Sequence, residues 1–175
     1  MPAVQQSGIR YKPRARTVGI ILHDSHTTDS ELSIGDVPRW ADAARELGRK
    51  MGYLDIGYNF IVERDGTAVE TRDRRLIGSH TPGLNMETIG ICWVGGRVLA
   101  GGLAVDNRTD DQKDTLLRLC HELRIQFTED GTVPWVKGHS EVQKYRNRAL
   151  PPCPPMDMDE FRIDLDYYAH GYGRI

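Results

Sequence analysis

Three side chains that bind metals well stand near the ends of predicted structural elements. His23 closes the β-branched run TVGIILH, His139 closes the short run VPWVKGH, and Cys153 follows in the proline-rich segment PPCPP. Two imidazoles and one thiolate suit zinc, and three protein ligands leave a fourth position open for water, as in catalytic zinc sites. Spacing alone does not establish such a site, because a single histidine at a strand end is more often a hydrogen-bonded structural residue.

The hydrophobic pattern predicts the elements that would position these residues. Residues 17–23 and 133–139 predict two strands, each of which ends at a histidine. Ligand sites in α/β folds favour the edge of the sheet where strands end, so the two imidazoles have a suitable location. The prolines on both sides of Cys153 would hold its backbone in an extended form.

The rest of the chain alternates predicted helices and strands. The predicted elements are a helix over residues 37–51, a hairpin over residues 58–70, a central strand over residues 88–96, a helix that begins at Thr109 and a last helix over residues 157–170. The Asp65-Gly66 pair is the turn signal of the hairpin, and Thr109 with Gln112 matches a capping box. This alternation predicts an α/β fold with a central mixed β-sheet flanked by helices.

Composition limits the classes of protein to consider. A chain of 175 residues is long enough for one domain with a substantial core. A net charge of −2 gives no overall field that would attract nucleic acid, so we expect no nucleic-acid partner. Three cysteines at unrelated spacings do not form a disulfide framework, which predicts a reducing compartment. We find no signal peptide and no apolar run long enough to insert in a membrane.

Four motifs, in order along residues 17–161, carry a resemblance to a known family. They are ILHDSHTT, GYLDIGYNFIVERDGTAVETR, IGSHTPGLNMETIGICWVGG, and KGHSEV followed by PPCPP. Together they resemble the zinc-dependent N-acetylmuramoyl-L-alanine amidases that share a fold with peptidoglycan recognition proteins, and especially the short phage lysozymes of that family. Four motifs in the right order are far more specific than any one alone.

The resemblance implies a peptidoglycan-recognition-protein-like amidase fold, with an N-terminal extension over residues 1–16 and an amidase domain over residues 17–175. It implies that His23, His139 and Cys153 hold Zn²⁺ and that Tyr58 is the catalytic tyrosine beside the metal. His80 and Asn85, in the motif GSHTPGLN, match the loop that lines the substrate groove. The implied reaction is hydrolysis of the amide between N-acetylmuramic acid and L-alanine in peptidoglycan.

One position departs from the pattern of the short phage relatives. Those relatives carry a catalytic lysine two positions before the cysteine, and Pro151 stands there in this chain. Lys144 is our candidate to replace it as a catalytic residue. The alternative is that Lys144 belongs to the solvated face of a basic loop.

The resemblance also implies a biological setting. We expect a phage or prophage endolysin, made in the host cytoplasm without a signal peptide, which acts on the periplasmic cell wall after release through the membrane. We expect a monomer, with phage RNA polymerase as a further partner. The alternative function is a peptidoglycan-binding recognition module without activity, and Cys153 argues against it because non-catalytic members typically lack that ligand.

Overall fold

The computed structural model describes residues 11–28, 56–98, 102–143 and 151–171. These ranges contain seven strands in chain order: β1 (Gly19–Asp24), β2 (Thr27–Thr28), β3 (Phe60–Val62), β4 (Ala68–Glu70), β5 (Thr88–Trp93), β6 (Gly96–Arg97) and β7 (Trp135–Gly138). Five of them form the central sheet in the order β4-β3-β5-β1-β7, and β2 pairs with β6. Strands β3, β5, β1 and β7 are parallel and β4 is antiparallel, so the sheet is mixed as predicted.

The two central strands determine where the metal-binding residues lie. Every residue of β1 and β5 is buried, as expected for apolar strands covered on both faces. Because β1 and β7 are parallel neighbours, their carboxyl ends lie at the same edge of the sheet. His23 is the penultimate residue of β1, and His139 directly follows β7. The topology therefore brings both imidazoles to one edge.

Three described helices complete the fold: α1 (Asp110–Gln126), α2 (His139–Val142) and α3 (Met158–Ala169). Helices α1 and α3 cover one face of the sheet, where Ile20 and Leu22 of β1 join the main core. Side chains alternate between faces along a strand, so His23 lies on the opposite face. On that face a smaller cluster contains Ile56, Ile61, Cys92 and Val94.

Local signals in the sequence account for most element boundaries. Thr109 accepts a hydrogen bond from the Gln112 amide and forms the predicted capping box of α1. The predicted hairpin joins β3 to β4, with Gly66 at a φ of 77° in the turn. Asp157 caps α3 by accepting hydrogen bonds from the amides of Asp159 and Glu160.

One predicted strand is shorter than expected, and one predicted helix falls outside the described residues. The strand predicted over residues 88–96 ends at Trp93, because Gly95 and Gly96 adopt φ values of 141° and 100° that break the extended backbone. Gly96 then begins the separate strand β6. The helix predicted over residues 37–51 lies outside the described residues.

The segment before β1 packs against the domain. The amide of Arg14 donates to the Arg75 carbonyl, and the amide of Ile77 donates to the Lys12 carbonyl. The buried Arg14 guanidinium donates to carbonyls of Arg74, Leu76 and Thr88. The domain boundary at residue 16 stays a prediction. Within the described ranges, the helices are all too short or too polar to cross a membrane.

Candidate metal centre

Two histidines and one cysteine converge at the carboxyl edge of the sheet. His23, His139 and Cys153 each offer a ligand atom, and these atoms lie within 4.8 Å of one another. Nδ1 of His23 lies 3.9 Å from Sγ of Cys153, and the ring centroids of His23 and His139 are 4.5 Å apart. Zinc binds nitrogen at about 2.0 Å and sulfur at about 2.3 Å, so ligand separations of this order suit it. The structure thus brings together the three residues predicted as ligands.

The surroundings of His139 support a metal at this location. Its Nε2 atom is buried, and no hydrogen-bond partner reaches that atom from the described part of the chain. A buried polar atom without a partner is costly, and a metal ion is one way to satisfy it. The donor set of two imidazoles and one thiolate fits zinc.

The loop that carries His139 and Cys153 is held by several hydrogen bonds. The amide of Ser140 donates to the Cys153 carbonyl at 2.8 Å, and the amide of Cys153 donates to Oγ of Ser140 at 2.6 Å. Glu141 accepts from the Gly138 amide at 2.7 Å and pairs with Arg162 at 3.0 Å. Glu141 therefore orients the turn from β7 into α2.

His23 is held on the side away from Cys153. Its Nε2 atom lies 3.1 Å from Nδ1 of His80 and 3.4 Å from Oγ1 of Thr81. The His23 and His80 rings meet edge to face, with centroids 5.2 Å apart. His23 is only 2% exposed. Both of its ring nitrogens therefore face defined partners within the protein.

Tyr58 lies beside the same centre. Its ring centroid is 5.0 Å from that of His23, and the ring packs against the smaller core cluster. Burial raises the pKa of Tyr58 well above its ordinary value, and the nearby thiols of Cys92 and Cys153 raise it further. The phenol therefore stays protonated at neutral pH and keeps an O–H group that can donate a hydrogen bond.

Burial also sets the protonation of the three ligands. It lowers the pKa of His23 well below its ordinary value, with the imidazole of His80 next in importance, and it lowers the pKa of His139. Burial raises the pKa of the Cys153 thiol to about 12, with the Asp24 carboxylate as the next cause. At neutral pH both imidazoles are neutral and able to bind a metal, whereas the thiol must lose a proton to do so.

A second group of metal-binding side chains adjoins the first. Asp24 and His26 offer ligand atoms within 4.8 Å of each other and of Cys153. Arg97 already supplies a cation there, because its guanidinium pairs with the buried Asp24 carboxylate at 3.2 Å and contacts Nδ1 of His26. His26 is half exposed and also lies 3.0 Å from that carboxylate. The structure therefore places His26 in a charged cluster that adjoins the centre at Cys153.

The remaining predicted site residues have different placements. His80 is only 8% exposed and is directed at His23. Asn85 accepts hydrogen bonds from the amides of His80 and Thr81, each at 2.8 Å, and so fixes the loop between them. Pro151, at the position where a lysine was expected, is exposed. Lys144 lies outside the described residues.

Sequence reasoning missed several residues around the centre. Thr81 contacts His23, Ser140 holds Cys153, and Asp24 with Arg97 forms a buried ion pair beside the thiol. One signal was available for Asp24. It directly follows His23 at the end of a predicted buried strand, and a buried carboxylate needs a charged partner. No local pattern identifies Arg97 as that partner, because 73 positions separate the two residues.

Comparison with known proteins agrees with this geometry. The N-acetylmuramoyl-L-alanine amidase family matches residues 13–154. The endolysin of Enterobacteria phage T3 is 33% identical over 151 residues, which cover 86% of this chain and 88% of the endolysin.

Solved structures show the same fold. N-acetylmuramoyl-L-alanine amidase LysC from Clostridium intestinale superposes with a TM-score of 0.63 at 20% identity, covering 90% of this chain and 95% of LysC. Drosophila PGRP-LB superposes with a TM-score of 0.60 at 19% identity, covering 78% of this chain and 77% of PGRP-LB. The family match and the 33% identity to an endolysin go beyond the fold. This chain therefore belongs to the N-acetylmuramoyl-L-alanine amidase family.

Proposed function

We propose that this chain is a phage endolysin that hydrolyses the amide bond between N-acetylmuramic acid and L-alanine in peptidoglycan, with zinc as its cofactor. Family membership and the similarity to a phage endolysin over most of both chains support the reaction and the setting. The observation that carries the proposal is the convergence of His23, His139 and Cys153 within 4.8 Å.

His23, His139 and Cys153 would hold the zinc ion. Bound there, zinc supplies a water whose pKa falls to about 7 and an electrophile that polarises the scissile carbonyl. One thiolate against a divalent cation leaves a net charge of about +1 on the centre. The Asp24 carboxylate lies close by, but Arg97 pairs with it, so this neighbouring pair adds little net charge.

Tyr58 would donate a hydrogen bond to the oxygen on which negative charge develops during hydrolysis. Its position beside His23 and its raised pKa both support this role, since the O–H group must be present at neutral pH. Loss of one such donor costs roughly 2.7–4 kcal/mol of transition-state stabilisation in other hydrolases. The backbone of Tyr58 is fixed because its carbonyl accepts a hydrogen bond from Thr71 at 2.8 Å.

Five further assignments extend the proposal beyond the metal centre. Lys144 is the candidate for the catalytic position that Pro151 leaves without a lysine, and His80 and Asn85 belong to the loop that would border the muropeptide. A monomeric state, and binding to phage RNA polymerase, follow from the family resemblance alone. Action on the periplasmic wall after release through the membrane accords with the endolysin relatives.

The test uses the full chain on purified Gram-negative sacculi. We expect zinc-loaded protein to release new L-alanine N-termini, and we expect a chelator or the Cys153→Ser substitution to abolish release. Cys120→Ala is the matched control, because Cys120 is a buried core cysteine of α1 on the other side of the sheet. It should remain active.

Other outcomes would contradict the proposal in distinct ways. Binding of sacculi without release would favour the recognition module. Release that survives both chelation and Cys153→Ser would refute the metal assignment. Cleavage between sugars would refute the assignment of the bond.

A further inference from the structure

We propose that His80, assisted by Thr81, is a positioning residue that sets the orientation and proton arrangement of the metal ligand His23. This inference rests on the proposed function, because it concerns the same metal centre. The family resemblance implies that His80 contacts the muropeptide, and the positioning role differs from that contact.

The contacts around His23 separate its two ring nitrogens. Nδ1 faces Sγ of Cys153 at 3.9 Å, on the side of the other ligands. Nε2 faces Nδ1 of His80 at 3.1 Å and Oγ1 of Thr81 at 3.4 Å. The geometry therefore assigns the metal to Nδ1 and the protein contact to Nε2.

This division determines where the protons lie. A neutral imidazole carries one proton, so a ligand that binds through Nδ1 carries it on Nε2. The Nε2–H group of His23 then donates to Nδ1 of His80, which must be unprotonated to accept. Outer partners of this kind fix the tautomer and ring orientation of a histidine ligand, and their loss typically weakens metal binding roughly 10–100-fold.

The surroundings of His80 hold its ring in one position. A side chain at Gly78 or Gly90 would collide with the imidazole, so the ring packs closely against two glycines. Thr81 lies 3.0 Å from Nδ1 of His80, and Asn85 fixes the backbone of both residues. A ring held this closely can orient a ligand before any metal binds.

Exposure separates the positioning role from a substrate-binding role. The His80 side chain is almost completely buried, and Oδ1 of Asn85 is occupied by two backbone amides. Both side chains contact other residues of the protein. A residue that acts mainly on the substrate would change KM, whereas one that acts on His23 would change zinc affinity.

The experiment measures zinc affinity of the full chain by competition with a chromogenic chelator, together with KM for peptidoglycan. His80→Leu removes the acceptor and should weaken zinc binding roughly 10–100-fold. His80→Asn places an amide oxygen near the position of Nδ1 and should recover most of the affinity. Thr81→Val should cause a smaller loss than His80→Leu. Ser79→Ala, an exposed position in the same loop, is the control and should bind zinc like the wild type.

Specific results would overturn the inference. Wild-type zinc affinity in His80→Leu with a raised KM would make His80 a groove residue. Equal losses in His80→Leu and His80→Asn, at equal thermal stability, would show that the hydrogen bond is not what matters. If His80→Leu fails to fold, unchanged zinc affinity in Thr81→Val overturns the proposal. A wild-type chain that binds no zinc would instead refute the proposed function itself.

Discussion

The two histidines proposed as metal ligands lie in different environments, although both are at the same edge of the sheet. His23 belongs to a central strand, is 2% exposed, and has its Nε2 atom held by His80 and Thr81. His139 is half-buried at the start of the short helix α2, and its buried Nε2 atom has no hydrogen-bond partner among the described residues. His23 is oriented by the fold, whereas His139 has a nitrogen that no residue in the described part of the chain satisfies.

The two sides of the centre therefore contribute in different ways. The side formed by β1 and the His80 loop, here the strand side, holds His23 in one orientation before any metal binds. The side formed by His139, Ser140 and Cys153, here the loop side, supplies the other two proposed ligands, of which the Cys153 thiol must lose a proton to bind a metal. Hydrogen bonds between Ser140 and Cys153 hold the loop side together, but they leave the ligand atoms themselves free.

Removal of a ligand from the loop side should have the largest effect. Cys153→Ser replaces a thiolate with a hydroxyl that binds zinc poorly, while the contacts of His23 with His80 remain. We expect no detectable amidase activity and a lost high-affinity zinc site, measured by release of L-alanine N-termini and by metal content. Full activity in this variant would mean that the loop side contributes no necessary ligand.

Tyr58→Phe removes a hydrogen-bond donor beside His23 without replacing any proposed ligand. We expect kcat to fall by about 10²–10³-fold because one hydrogen-bond donor to the developing oxyanion is lost. Zinc affinity should stay at the wild-type value, since the ring and its packing are retained. A loss of zinc binding equal to the loss of kcat would show that Tyr58 acts through the ligands instead.

The pH dependence of zinc binding shows which of the proposed ligands must lose a proton. The pKa values of His23 and His139 are lowered, so neither imidazole needs to lose a proton near neutrality. The Cys153 thiol, with its pKa raised to about 12, carries a proton throughout the range from pH 7 to 8. Zinc affinity should therefore fall at least roughly tenfold for each unit by which the pH is lowered within this range, and more steeply where the zinc-bound water, with its pKa of about 7, also ionises.

Calorimetry in buffers of different ionisation enthalpy counts the released protons directly. At pH 6, where a zinc-bound water with a pKa of about 7 keeps its protons, we expect about one proton per zinc ion from the Cys153 thiol. Two or three protons would mean that the imidazoles are also charged in the metal-free protein. No proton would mean that the thiol is already ionised.

Glu141→Gln should have the smallest effect. The substitution weakens the ion pair with Arg162 and the bond to the Gly138 amide, both on the loop side. Because the pair is partly exposed, we expect a loss of at most about 1 kcal/mol in the free energy of unfolding. Zinc affinity should change less than in His80→Leu, and a larger change would reverse the proposed difference between the two sides.

The sequence predicts the parts of this centre that follow from local pattern. A β-branched run that ends at His23, and another that ends at His139, place both residues at one sheet edge once the strands are parallel. Cys153 acquires its role from the motif around it, and the capping residue Thr109 is correct because a cap depends on neighbouring amides.

Contacts between segments that are distant in the sequence could not be predicted from local patterns. His80 matched a groove residue in the motif, yet its ring is directed at His23, which is 57 positions away. The pairing of Asp24 with Arg97 likewise depends on how the β2–β6 pair closes beside the sheet. Hydrophobic periodicity fixes which face a residue occupies, but it does not specify which polar groups meet across the fold.

The most direct test of the metal centre is anomalous diffraction at the zinc absorption edge from a crystal of the full chain. We predict one strong peak about 2.0 Å from Nδ1 of His23, about 2.0 Å from a ring nitrogen of His139, and about 2.3 Å from Sγ of Cys153. A peak on Asp24 and His26 instead, or none near these three residues in zinc-loaded protein that cuts peptidoglycan, would contradict the account.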